Sequence, residues 1–198
     1  MTLLRPLTEK DIEPWPTLAC GTGARIGRAR VLWGVQHRWW PFTCVVGPMW
    51  HCNLVTWALM LVPSSLFLAF AAPHMHVAWA VVEIVALLWA AGGLATTAWS
   101  NPGFLPALKP EAVEARRAEI LEAGYQDAMT FCTKCNNFRD STVHHEYEVD
   151  RCVYDLDHFC PWTGTDIAQQ ISAFYVYLWG ILALLLATGF GWATYALL

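Results

Sequence analysis

The sequence predicts an α-helical integral membrane protein, and three observations carry that reading. Of its 198 residues 56% are hydrophobic and only 14% charged, with positive mean hydropathy, which favours membrane partition over a soluble core. Three blocks, Leu54–Ala72, Val77–Trp99 and Ile171–Leu198, are long, apolar and nearly free of charge. Roughly 20 residues at about 1.5 Å each cover a bilayer core of about 30 Å. A cysteine- and histidine-rich stretch, 132–162, lies between the second and third blocks.

Taken in order, residues 1–53 read as a cytosolic N-terminal segment. The opening MTLLRPLTEKDIEPWP places acids and prolines where a signal peptide would need an apolar core, so insertion is expected to use the first span. CGTGARIG has glycines spaced somewhat like a phosphate loop, but no strand precedes it and no Lys-Ser or Lys-Thr follows, so it reads as a plain loop. RVLWGVQHRWWPFTCVV alternates aromatic and β-branched residues loosely, which suits short strands or an interfacial lip. Residues 54–99 form a transmembrane hairpin, since the 73–76 link is only four residues long. Pro63, mid-span, predicts a kink, with Ser64 and Ser65 placed to satisfy freed carbonyls. Glu83 is the one acid within a span and is expected near the interface.

Residues 100–131 read as a cytosolic linker. SerAsnProGlyPheLeuPro leaves the membrane, and 110–124 is a helix with Pro110 in its first turn, Gly124 as its stop and charges on a solvated face. Residues 132–170 form the cysteine-rich domain and 171–198 the third span. Six Lys or Arg precede the first span, none lie in the short link, and six lie between the second and third spans. The positive-inside rule therefore puts the N-terminus and the long loop in the cytosol, with Trp39, Trp40, Trp50 and Trp99 as an aromatic belt on that side. The basic residues form no stripe, which sets nucleic acid aside.

The cysteines suggest metal or thiol chemistry in a reducing compartment, because they number seven and four fall in 132–160. Cys132 and Cys135 form a C-x2-C knuckle, followed by His145 and Cys152. Three thiolates and an imidazole suit a tetrahedral structural zinc, and the loop is too short and polar to hold itself together by burial alone. A redox dithiol is the competing reading, disfavoured because the βαβ surroundings of thioredoxin-like motifs are absent. Downstream is AspHisPheCysProTrp, 157–162. In an extended segment His158 and Cys160 share a face with Phe159 turned away, and Asp157 can orient the imidazole. Such a histidine takes the thiol proton and leaves a nucleophilic thiolate. On these residues alone, His158 or Cys160 serving as a further zinc ligand stands level with that reading.

The stretch 132–162 resembles the cysteine-rich domain of the DHHC-type protein S-acyltransferases, the palmitoyltransferases. SerAsnProGly after the second span is similar to that family's Asp-Pro-Gly motif, with Asn101 at the Asp position. The resemblance implies Asp157, His158 and Cys160 as catalytic residues and Cys132, Cys135, His145 and Cys152 as the first zinc site. It implies acyl-CoA as co-substrate, an acyl-Cys160 intermediate, and protein substrates with membrane-proximal cysteines. It also implies a multi-pass protein of an endomembrane or the plasma membrane. The family's second zinc site falls here on Glu146, Val149, Phe159 and Asp166, so a single structural zinc is expected, with Val149 and Phe159 packing as an apolar substitute. The family's asparagines after the motif fall on Thr165 and Ile171, and its fourth span and Thr-Thr-x-Glu tail find no counterpart. These departures leave three expectations open: a truncated form, an accessory subunit, or a catalytically inactive membrane-anchored zinc-binding docking protein.

Overall fold

The computed structural model describes residues 4–16, 24–36 and 38–198. Three helices in it are long and apolar enough to cross a membrane: Trp50–His74, Ala78–Trp99 and Ile171–Tyr195. The first is a composite, α1 (Trp50–Leu66) continued by a π-helical stretch Phe67–Ala71 and a 3₁₀ turn Ala72–His74. It starts four residues before the apolar run suggested, because Trp50, His51 and Cys52 are accommodated in its first turn. Pro63 does not break it. Its missing N–H is followed within one turn by the wider π geometry, a common way to absorb a misfit in the i→i−4 ladder. Ser64 does not satisfy the freed carbonyls as expected, since its buried hydroxyl has no hydrogen-bond partner.

The second and third spanning helices are α2 (Ala78–Trp99) and the last helix of the chain (Ile171–Tyr195), which pack closely on each other along Ala86, Ala90, Leu94, Tyr177, Leu184 and Ala187. Small residues let the two backbones approach, which is how helices associate where lipid is as apolar as their own side chains. Glu83 faces the last helix and does not reach outward. It is fully buried, and Thr188 on the last helix donates to its Oε1 at 2.8 Å. An inward carboxyl with a cross-helix partner is the arrangement hydrocarbon demands of an intramembrane acid.

Before α1 stands a three-stranded antiparallel sheet, β1 (Arg25–Ile26), β2 (Ala29–Trp33) and β3 (Cys44–Val46). The expected loop over CGTGARIG is thus strand from Arg25, while Cys20–Gly23 lies outside the described residues, as does the start of the N-terminus at 1–3. After α2, helix α3 (Pro110–Glu122) ends at Gly124 with φ +75°. Its charges are less solvated than expected. Arg116 donates to the Arg5 carbonyl at 2.7 Å and Arg5 pairs with Glu119 at 2.9 Å, which fastens the N-terminal arm over the buried Val113 and Ile120.

Three hairpins follow: β4 (Thr130–Cys132) with β5 (Asn137–Arg139), β6 (Val143–Glu146) with β7 (Arg151–Tyr154), and β8 (His158–Cys160) with β9 (Thr165–Ile167). The last spanning helix is α4 (Ile171–Tyr195). No sheet joins the three hairpins to one another. Strands this short need outside support, and β7 shows where it comes from. Cys152 faces one cluster with Cys135, Val143 and Leu105, whereas its neighbour Val153 faces another with Ala24, Ile26, Ala29, Val31, Val45, Phe104 and Val149. Period-two alternation makes β7 the wall between a sulfur-rich interior and an apolar one.

Candidate functional site

The β4–β5 turn and the paired strands β6 and β7 bring Cys132, Cys135, His145 and Cys152 together, with one ligand atom from each within 4.8 Å of all the others. In the β6–β7 register His145 stands directly opposite Cys152, while Asn136, with φ 49°, closes the knuckle turn after Cys135. His145 Nδ1 lies 3.5, 3.3 and 3.7 Å from the sulfurs of Cys132, Cys135 and Cys152. A tetrahedral ion with Zn–S of about 2.3 Å and Zn–N of about 2.0 Å requires S···N edges of about 3.5 Å. The three S···N distances therefore suit zinc.

Electrostatics agree with that fit. Hydrogen bonds from the Cys152 side chain and from its backbone N–H, the latter at 3.1 Å, hold the Cys135 thiol down at about 5 against the burial that opposes it. The same closeness to Cys135, together with burial, pushes the Cys152 thiol up. Three sulfurs this close cannot all ionise without a cation between them. His145 Nε2 lies 3.3 Å from Asp150, outside hydrogen-bonding alignment, so the ring is turned with Nδ1 inward and its other edge toward a carboxylate. Such an outer partner is what orients a metal-ligating histidine.

The four positions Glu146, Val149, Phe159 and Asp166 are differently built. Val149 is fully buried, and Phe159 packs into the same apolar cluster as Val149, Val153 and the N-terminal sheet. Arg28, at the β1–β2 turn, donates its N–H to the Val149 carbonyl at 2.7 Å. Gly27 beside it has φ +56°, and a Cβ there would lie 2.2 Å from that same carbonyl. Asp166, opposite Phe159 in β9, is fully buried with neither carboxylate oxygen hydrogen-bonded. Burial, with the charge of Glu146 in second place, pushes its carboxyl up to about 8. Glu146 itself accepts the Val149 N–H at 2.7 Å.

The nucleophile candidate sits on the third hairpin. Asp157 Oδ2 and His158 Nδ1 are 2.7 Å apart, and the imidazole meets the Phe174 ring of α4 edge-on at 5.5 Å. Strand alternation sends Phe159 into the apolar cluster and leaves His158 and Cys160 on the other face. Cys160 is buried, and it shares no hydrogen bond with His158. The turn after it is tightly seated. Gly164 donates its N–H to the Cys160 carbonyl at 2.9 Å, and Thr163 donates its hydroxyl to the same oxygen at 3.1 Å.

Several contacts were not evident in the sequence. Thr56 of α1 donates its hydroxyl to the Trp162 carbonyl at 2.7 Å, and Asn53 reaches the same oxygen at 3.4 Å. Gly47 presses against Gly164 so closely that a Cβ on Gly47 would lie 1.9 Å from the Gly164 carbonyl. Asn101 accepts the N–H groups of Gly103 and Phe104 at 3.0 and 3.1 Å, as an aspartate would, but also donates its amide to the Gln36 carbonyl at 2.7 Å, as an aspartate could not. The segment after it runs along β7, with Leu105 N–H on the Cys152 carbonyl at 2.8 Å. Polar residues at this spacing carry no distinctive signal; a hydroxyl in the first turns of an apolar helix was the one available hint.

Comparison with known proteins bears on this geometry. Residues 125–198 match the DHHC palmitoyltransferase family. Human palmitoyltransferase ZDHHC14 is 30% identical over 145 residues, covering 61% of this chain and 30% of the relative. Palmitoyltransferase pfa5 of Emericella nidulans is 41% identical over 46 residues, 23% of this chain and 10% of the relative. Rat palmitoyltransferase ZDHHC3 is 26% identical over 151 residues, 69% of this chain and 49% of the relative. The chain thus spans half or less of the length of these relatives.

Proposed function

We propose, from the match of residues 125–198 to the DHHC palmitoyltransferase family, that the chain is a protein S-acyltransferase, moving a long-chain acyl group from acyl-CoA through Cys160 to protein cysteines. The observation that carries the reading is the Asp157–His158 contact of 2.7 Å on the strand that also bears Cys160, on a hairpin seated against the ends of the spanning helices. With the carboxylate on Nδ1, the imidazole carries its other nitrogen, Nε2, as the base. His158 takes the Cys160 proton, and the thiolate attacks the thioester carbonyl of acyl-CoA. The bond to the CoA sulfur breaks, and CoA leaves with the proton returned from His158. A substrate thiol, deprotonated in turn, attacks the acyl-Cys160 thioester and restores the enzyme. One thioester is exchanged for another at each step, so no nucleotide energy source is required.

In this proposal Cys132, Cys135, His145 and Cys152 hold one structural zinc, whose role is to fold hairpins too small to fold by burial. The cysteine-rich domain, 132–170, faces the cytosol, a placement supported by the distribution of Lys and Arg. Membrane seating suits the chemistry, because burying an acyl chain contributes about 0.8 kcal/mol per CH₂ and leaves the thioester carbonyl at the interface. The test is self-acylation of the purified chain with labelled long-chain acyl-CoA. Label released by neutral hydroxylamine is expected from the native chain and not from Cys160→Ser. Equal labelling of the two would remove Cys160 as the nucleophile.

A further inference from the structure

The connection between β2 and β3 takes no part in the chemistry above, yet it displays Trp33, Val35, Trp39 and Phe42, with Phe42 68% exposed. Large aromatic side chains grouped on a surface mark a contact with something apolar, and the position of these shows with what. Trp33 lines an apolar cavity of about 310 Å³ together with Trp50 and Leu54, from the first turns of α1, and Trp99, the last residue of α2. Trp39 lines a second cavity, of about 270 Å³, with Gly92 and Gly93 of α2 and Val176 of α4. Gly92 is seven residues short of the end of α2, or about 10 Å into the span. Trp40 packs on Trp99, centroids 5.8 Å apart, and its backbone N–H donates to the Ser100 hydroxyl at 3.1 Å. The tip therefore straddles the end of α2 and presents one indole to each of the two clefts beside it.

Charge agrees at the tip itself. Arg38, exposed beside Trp39, is the one ionised residue from Gly34 to Thr43, whereas Arg25 and Arg28 lie at the far end of β2. Indole and phenyl groups favour the headgroup level of a bilayer, and an arginine among them favours anionic headgroups.

We propose that the β2–β3 tip is an interfacial membrane anchor, with Trp33, Trp39 and Phe42 lying in the headgroup and upper acyl region of the leaflet next to the cysteine-rich domain. The proposal rests on the membrane placement of the helices and not on acyl transfer. The anchor is rigidly tied to the nucleophile turn: β3 leads directly into Gly47, whose backbone abuts Gly164. The depth at which the tip sits thus sets the height of Cys160 above the acyl chains.

The test uses the full chain in nanodiscs of phosphatidylcholine and phosphatidylserine, with p-benzoylphenylalanine replacing Phe42 in one sample, Trp33 in a second and Tyr147 in a third. Tyr147 is also exposed, but it neighbours Val149, which bonds Arg28 at the opposite end of β2 from Trp33, about 16 Å away along the strand. After irradiation, mass spectrometry of the photoproducts is expected to show phospholipid adducts at positions 42 and 33 at roughly ten times the yield at 147. Lipid adducts no more abundant at 42 and 33 than at 147 overturn the proposal. So does cross-linking of those positions to a second copy of the chain in place of lipid.

Discussion

The two halves of the cysteine-rich domain share β7 as a common wall but are held by opposite means. On one side Cys132, Cys135, His145 and Cys152 converge at tetrahedral spacing. On the other, Val149 and Phe159 join Ala29, Val31 and Val45 from a sheet that lies more than a hundred residues earlier. Donor atoms hold one side by local sequence, and burial holds the other by importing chain from elsewhere. Where no donor cluster holds it, a region this small must find apolar area from outside itself. The N-terminal sheet supplies it, and the Arg28–Val149 hydrogen bond fixes its register.

Metal removal should break this comparison most visibly. Structural zinc sites contribute apparent folding free energies on the order of 10 kcal/mol, so chelation should release one ion per chain and abolish hydrogen-exchange protection in β4–β7. Protection in β2 and β3 should outlast it. Elemental analysis finding two tightly bound ions would show that the apolar half is not a substitute at all.

A second difference lies in the acid left among the apolar groups. The ordinary carboxyl value is 3.8, and burial pushes Asp166 up to about 8. Between those values the unfolded chain has lost the proton that the folded chain keeps. Stability is therefore fully present below pH 4 as far as Asp166 is concerned, declines by at most about 1.4 kcal/mol per pH unit, and is lost as pH rises through 8. Denaturation of the full chain in detergent, followed from pH 5 to 8, should show this slope in the native protein and a flat profile for Asp166→Asn. A slope unchanged by that substitution assigns the dependence to other groups.

The docking of the sheet can be attacked separately. At Gly27 a methyl group meets both a left-handed backbone and the Val149 carbonyl. Gly27→Ala should cost about 2–3 kcal/mol and raise exchange in β8–β9, while metal content stays at one ion. Loss of the metal in this variant would mean that the two halves fold as one unit.

What was legible in the sequence follows the same division. The long apolar helices, the convergence of Cys132, Cys135, His145 and Cys152, and the Asp157–His158 contact were readable because each is specified by neighbours within a few turns or strands. The apolar replacement was readable only in part. Val149 and Phe159 announced that something must cover them, but not that Ile26 and Val31 would do so. The burial of Glu83 was not readable because it depends on a partner, Thr188, on another helix. Asn101 was read only as standing at the Asp position of a similar motif, and not as donating to the Gln36 carbonyl, an interaction that makes asparagine the fitting residue there.

The smallest predicted effect concerns the turn after Cys160, where the comparison extends to the apolar helices. The carbonyl of Trp162, two residues beyond Cys160, is fastened by Thr56 rather than by anything within the cysteine-rich domain. Thr56 has one hydroxyl proton and two carbonyls within reach, Trp162 at 2.7 Å and Cys52 at 3.2 Å, so the shorter contact takes it. Thr56→Val keeps the shape and removes the donor, leaving a buried carbonyl to the weaker Asn53 contact at 3.4 Å. The net cost should be about 1 kcal/mol, read as a roughly fivefold slower self-acylation with metal content unchanged. Thr56→Ser restores the hydroxyl and should recover the native rate. If valine and serine variants acylate equally fast, the turn is held by Gly47 and Gly164 alone, and α1 contributes only the surface against which it rests.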